Sequence, residues 1–198
     1  MNFRSARWMI LPAAALSLSA CGINSVPTKE EAAKAQWANV EAAYQRRADL
    51  IPNLVETAKG AANIEKETLE SVIQARASAT QVKLEPGDLD DPAKVEAFQQ
   101  AQGNVSSALS RLLVSVERYP DLKSQGRFAD LMTQLEGTEN RINIAIRDYN
   151  GAVQDYNTTI RTFPDIIGAK IVHGAEPMTP FKAVTPNANQ APKVDFGQ

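Results

Sequence analysis

The residues best suited to chemistry in this 198-residue chain are scarce: one cysteine and one histidine. Cys21 follows Leu18-Ser19-Ala20, small residues set just before a thiol, an order that reads as a lipobox. Such a signal directs transfer of diacylglycerol to the sulfur and cleavage before it. The thioether needs a soft, nucleophilic sulfur, and the small residues fit a peptidase cleft. A lone cysteine in an exported chain has no internal disulfide partner, and lipidation explains why it is there. Two or three acyl chains of the palmitate type anchor stably, whereas one binds only marginally. Cys21 is then committed to lipid, which leaves neither a Cys–His nucleophile nor a thiolate metal site. His173 alone supplies neither a Glu-x-x-His di-iron pair nor a two-histidine zinc motif, and it reads as a surface residue. With no phosphate loop or dinucleotide fingerprint in view, the expectation is a non-enzyme without catalytic residues, cofactor or metal.

Carboxylates could still act alone, as in glycan hydrolysis, where two carboxyls stand about 5 to 10 Å apart. Glu136 and Glu139 share a helix face, as do Glu117 and Asp121. Such pairs are common on solvated helices, where they form ion pairs. Two other polar groups are denser. Arg46, Arg47, Asp49 and Asn53 crowd the surroundings of Pro52, and Arg141, Arg147, Asp148 and Asn150 lie near one another further on. They read either as an interhelical hydrogen-bonded network that fixes register or as an exposed recognition surface. Buried arginines in a bundle need carboxylate or amide partners.

The elements that must carry these groups start with a leader. Arg4 and Arg7 precede an apolar run from Trp8 to Leu18, and no acid appears before Glu30. The run has the length of a signal-peptide core. It is too short to span a bilayer, which takes roughly 20 apolar residues. Residues 1–20 are therefore expected to be a lipoprotein signal peptide and 21–28 a lipidated tether. Gly22, rather than an aspartate, favours the outer membrane if the source is Gram-negative. Without residues 1–20 the chain has 19 basic and 23 acidic residues, a net charge of −4. That mildly acidic balance makes the chain a poor candidate for nucleic acid binding, which needs a basic patch for the phosphate backbone.

Beyond the leader the pattern is helical throughout. Thr28-Lys29-Glu30-Glu31 has the form of a capping box with Thr28 at the N-cap. Trp37, Val40, Tyr44, Ile51, Leu54, Val55 and Ala58 keep one phase through Pro52, predicting a continuous but kinked helix; a break at Asp49 to Pro52 is the alternative. The phase extends past Gly60 to about residue 82. Leu84 to Pro92 is a loop, with Asp91 capping the next helix and Pro92 at its first position. Val95 to Val116 mark a helix ending near Arg118, Tyr119-Pro120-Asp121 a turn, and Gly126 to about Thr162 a last long helix. Residues 29–174 are thus expected to form an all-α, elongated antiparallel bundle of three to four long, coiled-coil-like helices. Residues 175–198 form a proline-rich extended or disordered tail, with Phe181 docking on the bundle.

Four blocks in order carry a resemblance. Tyr44-Gln-Arg-Arg-Ala-Asp-Leu-Ile-Pro-Asn-Leu-Val55, Val116-Glu-Arg-Tyr-Pro-Asp-Leu-Lys123, Leu135-Glu-Gly-Thr-Glu-Asn-Arg-Ile142 and Arg147-Asp-Tyr-Asn150 resemble the LemA family of bacterial envelope proteins. Tyr156-Asn157 and Phe163-Pro164 also fit. The resemblance implies an all-helical extracytoplasmic domain behind an N-terminal hydrophobic segment, usually an uncleaved anchor. The lipobox departs from that pattern. For some members it also implies association with membrane peptidases or envelope stress systems.

The leading functional expectation is a membrane-anchored envelope lipoprotein, held by lipid on Cys21, that binds an envelope protein partner and no nucleic acid. One alternative is an architectural protein that self-associates as a homo-oligomer; another is a carboxylate-dependent hydrolase of wall glycan.

Overall fold

The computed structural model describes residues 3–59, 65–119 and 126–182, with side chains from residue 23 onward. Helix α1 runs from Phe3 to Lys59, α2 from Lys66 to Gln81, α3 from Pro92 to Val116 and α4 from Gly126 to Thr159. A 3-10 turn at Pro86–Asp88 links α2 to α3. A short helix α5, Asp165–Gly168, continues into a π-helical turn, Ala169–His173. Among the described residues every regular element is helical.

The fate of Pro52 shows which force dominates. A proline inside a helix costs roughly 3 kcal/mol, because it removes one hydrogen bond and crowds the preceding turn. Ile51, Leu54 and Val55 around it are fully buried, and each such side chain contributes roughly 1.5–3 kcal/mol. Burial wins, and α1 passes through Pro52 as one helix.

Three expectations are corrected. Thr28 is not an N-cap: it lies inside α1, and its hydroxyl donates back to the Asn24 carbonyl at 2.6 Å. Residues 23–28 are not a tether, since they are helical and Val26 is fully buried in the core. The segment reaching residue 82 is not one helix. α1 ends at Lys59 and α2 folds back along it, with Arg76 Nε donating to the Ala48 carbonyl at 2.7 Å and Trp37 Nε1 to the Leu84 carbonyl at 3.1 Å. Apolar phase survived the reversal because both helices bury the same kind of face, so periodicity alone could not reveal it.

The other boundaries lie close to expectation. Asp91 caps α3, its carboxylate accepting from the Ala93 and Lys94 amides, with Pro92 at the first position. α3 ends at Val116 and α4 at Thr159, two or three residues short of the expected ends, as frayed termini commonly are. The turn expected at Pro120-Asp121 lies outside the described residues, as do the side chains of residues 3–22, Cys21 included, whose backbone belongs to α1.

Helices α1 and α4 run antiparallel, with register set by Lys29–Asp155 at 3.1 Å, Trp37 against Tyr149, and Arg47–Glu139 at 3.1 Å. At 1.5 Å per residue the 34 residues of α4 extend about 51 Å. The core falls into two clusters along this length. One is aromatic, around Trp37, Phe98, Tyr149, Tyr156 and Phe181. The other is aliphatic, around Ile51, Leu54, Val72, Leu109, Leu112 and Leu135, with Phe128.

Candidate functional site

The eight polar residues expected to form a network or a recognition surface do not form one site. Arg47 alone is buried, at 2% exposed, between the aromatic and aliphatic clusters. One terminal nitrogen donates to Ser106 Oγ at 2.8 Å and to both Glu139 oxygens at 3.1 and 3.2 Å. The other donates to the carbonyl and side-chain oxygens of Gln102 at 3.1 and 2.8 Å. The guanidinium also stands 5.0 Å from the centre of the Tyr44 ring, a cation–π distance. A buried cation therefore ties α1 to both α3 and α4. Burial pushes the Tyr44 phenol up to about 12; Arg47 pulls it down and Glu139 pushes it further up.

Asn150 belongs to a second arrangement. After Gly174, whose left-handed φ of 56° ends the π-helical turn, the chain runs extended to Lys182 and lies along α4. The Asn150 amide clasps Phe181, accepting from its N–H at 2.8 Å and donating to its carbonyl at 3.0 Å. Asn157 does the same to Met178, at 2.9 and 2.8 Å. Tyr149 and Tyr156 donate their hydroxyls to the Thr179 and Glu176 carbonyls. Seven helical residues rise about 10.5 Å and three extended residues about 10 Å, so the two Tyr-Asn pairs meet the strap in register. The Thr179 amide bonds the Leu89 carbonyl and the Lys182 amide bonds Gln99 Oε1, which closes the other edge. Phe181 docks as expected, edge-on to Phe98 and Tyr149 and tilted against Trp37. Burial raises the Tyr149 phenol above its ordinary value, and that of Tyr156 likewise. Residues 183–198 lie outside the described residues.

The remaining six residues are exposed. Arg46, Asp49, Arg141 and Asp148 rim an open groove of about 620 Å³ between α1 and α4. Ala42, Ala43, Ala145 and the exposed Ile144 also line it. Asp49 accepts from Gln45 at 2.8 Å, and Arg147 lies 3.7 Å from Asp148. Asn53 is exposed on α1, where its carbonyl accepts from Thr57.

The carboxylates read as a hydrolytic pair are placed differently from one another. Glu139 turns inward to Arg47 and Ser106, while Glu136 is exposed. Glu117 is exposed, and Asp121 lies outside the described residues. His173 is exposed, with Nε2 3.0 Å from the Ile23 carbonyl. Among the described residues no cluster of His, Cys, Asp and Glu could hold a metal, and no buried side-chain polar atom lacks a partner.

Ser106, Gln102, Gln99 and Asn157 were missed as site residues by sequence reasoning. For Asn157 a signal existed: Tyr-Asn occurs at 149–150 and again at 156–157, one heptad apart. Ser106 and Gln102 carry no such mark.

These features define an all-α domain of long packed helices, closed by an extended strap that side chains hold to the last long helix. The chain belongs to the LemA family, whose model matches residues 36–196. It is 30% identical over 157 residues to magnetosome protein MamQ 2 of Paramagnetospirillum magneticum, covering 71% of this chain and 58% of that protein. It is 31% identical over 124 residues to protein LemA of Metamycoplasma hominis, covering 63% of this chain and 52% of that protein. The MamQ protein of Magnetospirillum gryphiswaldense is 29% identical over 157 residues, with coverages of 71% and 58%. The chain thus spans little more than half the length of these relatives.

Proposed function

We propose that this protein is a non-enzymatic envelope lipoprotein, anchored by lipid on Cys21, whose helical rod binds an envelope protein partner through the α1–α4 groove. The observation that carries this reading is the division of the polar residues. Arg47 and Asn150 are saturated by contacts within the chain, whereas Arg46, Asp49, Arg141 and Asp148 surround an open, alanine-lined groove. Charges of both signs around a small-residue floor suit the polar face of another helix. The lipobox at Leu18–Cys21 supports an extracytoplasmic, lipid-held location, and Gly22 supports the outer membrane if the source is Gram-negative.

The test is photocrosslinking in native envelopes from a benzophenone residue at position 141. An adduct with a different protein, lost on Arg46→Glu, supports the reading; a ladder of this chain alone would replace it with self-association, which the mixed charges of the groove also suit. Peptidoglycan turnover by the purified protein that disappears in Glu136→Gln would overturn the non-enzymatic assignment.

A further inference from the structure

The large apolar side chains that this molecule exposes are unevenly placed. Among the described residues they are Ile23, Ile73, Val114, Ile144, Phe163, Ile167, Ile171 and Val172. Four of these fall within the ten residues 163–172, the turn that follows α4, and Phe163 and Ile171 are 69% and 80% exposed. The fifth, Ile23, adjoins that turn in space. His173 Nε2 lies 3.0 Å from the Ile23 carbonyl, and Ser25 Oγ donates to Asp165 at 2.7 Å. One end of the rod therefore gathers Ile23, Phe163, Ile167, Ile171 and Val172 around the point where α1 enters the packed domain.

We infer that this end of the rod seats on a lipid surface, with the 163–172 turn dipping into the headgroup region beside the anchor. The occupant is argued from continuity. Cys21 is two residues from Ile23, about 3 Å along the axis of α1. Whatever membrane holds residue 21 must lie within a helical turn of this patch. Exposed Arg161 and Lys170 stand in and next to the same turn, where cationic side chains meet lipid phosphates while the apolar ones enter the acyl boundary. Water, the other occupant of an exposed surface, gives no reason to concentrate isoleucine, valine and phenylalanine at this one end. The consequence is a rod held upright by two attachments, the anchor and the turn, which presents the α1–α4 groove at a set height above the bilayer.

The inference rests on the reading of Cys21 as a membrane attachment, and one experiment separates the two. The full chain, expressed with a benzophenone residue at position 171 or at position 114, is irradiated in native membranes and in vesicles of phosphatidylethanolamine and phosphatidylglycerol. Val114 is the control. It lies near the far end of α3, roughly 50 Å from Ile23 along the rod at 1.5 Å per helical residue. The expected result is sedimentation with the membrane, with lipid adducts at least fivefold more abundant at 171 than at 114. Sedimentation with equal, low adducts at both positions overturns the seat and leaves the anchor standing. A chain that stays in the supernatant overturns the anchor reading and this inference with it. Phe163→Asp, a change at another exposed site of the patch made with the probe kept at 171, should abolish the difference without altering the circular dichroism of the domain.

Discussion

Arg47 and Glu139, 92 residues apart in sequence, meet at 3.1 Å across the helices at the point where the aromatic core gives way to the aliphatic one. The guanidinium is buried but the carboxylate is 44% exposed. The pair is therefore asymmetric: the cation depends on its partners far more than they depend on it.

Arg47→Ala should lower stability by about 2–4 kcal/mol, because it opens a cavity and removes the donors that face Ser106, Gln102 and Glu139. Glu139→Gln should cost about 1 kcal/mol or less, since an amide oxygen can still accept from the arginine and water reaches the site. Chemical denaturation of the two variants checks the order. Equal losses would show that the exposed carboxylate matters as much as the buried cation.

Release of the strap is predicted for Asn157. Asn157→Ala deletes both hydrogen bonds to Met178 and should cost about 1–3 kcal/mol. Asn157→Asp is the sharper variant. A carboxylate can accept from the Met178 amide, but it cannot donate to the carbonyl and would repel it. Hydrogen exchange at the Met178 and Phe181 amides should accelerate in both variants while the amides of α1 keep their protection. Unchanged exchange at Met178 would show that Phe181 docking alone holds the strap.

Alkaline pH should weaken the fold. Burial holds the Tyr44 phenol at about 12, above its ordinary value near 10, and raises Tyr149 and Tyr156 as well. Between those values the unfolded chain releases protons that the folded chain keeps. The contribution is complete below pH about 10 and is lost as pH rises through about 12. Tyr44→Phe should make the decline in melting temperature over that interval shallower. An equally steep decline in the variant would assign the effect to the other tyrosines.

Trp37 joins most of the aromatic core, touching Phe98, Tyr149 and Phe181 and donating to the Leu84 carbonyl. Trp37→Ala should cost about 3–5 kcal/mol by cavity formation. Trp37→Phe should cost about 1–2 kcal/mol, chiefly because the Leu84 carbonyl loses its donor. Thermal melts of the two variants should differ by several degrees, and equal midpoints would assign the loss to the indole hydrogen bond rather than to the ring volume.

The sequence by itself determined the helical class, the apolar faces, the Asp91–Pro92 start of α3 and the docking of Phe181. Those follow from local periodicity, capping chemistry and the contrast between a polar, proline-rich tail and the Phe181 ring near its start. It did not determine where α1 stops and α2 turns back, because both bury faces of the same phase and no strong breaker lies between them. It left Thr28 looking like a helix start, because a capping box is a local pattern and cannot register that the preceding turn packs Val26 into the core. The fate of the eight polar residues was decided only by tertiary structure. Arg46 and Arg47 are neighbours in sequence, yet a rotation of about 100° per residue sends one to a groove and the other to the core. Their partners, Glu139 for Arg47 and Phe181 for Asn150, lie on segments whose approach no local spacing encodes.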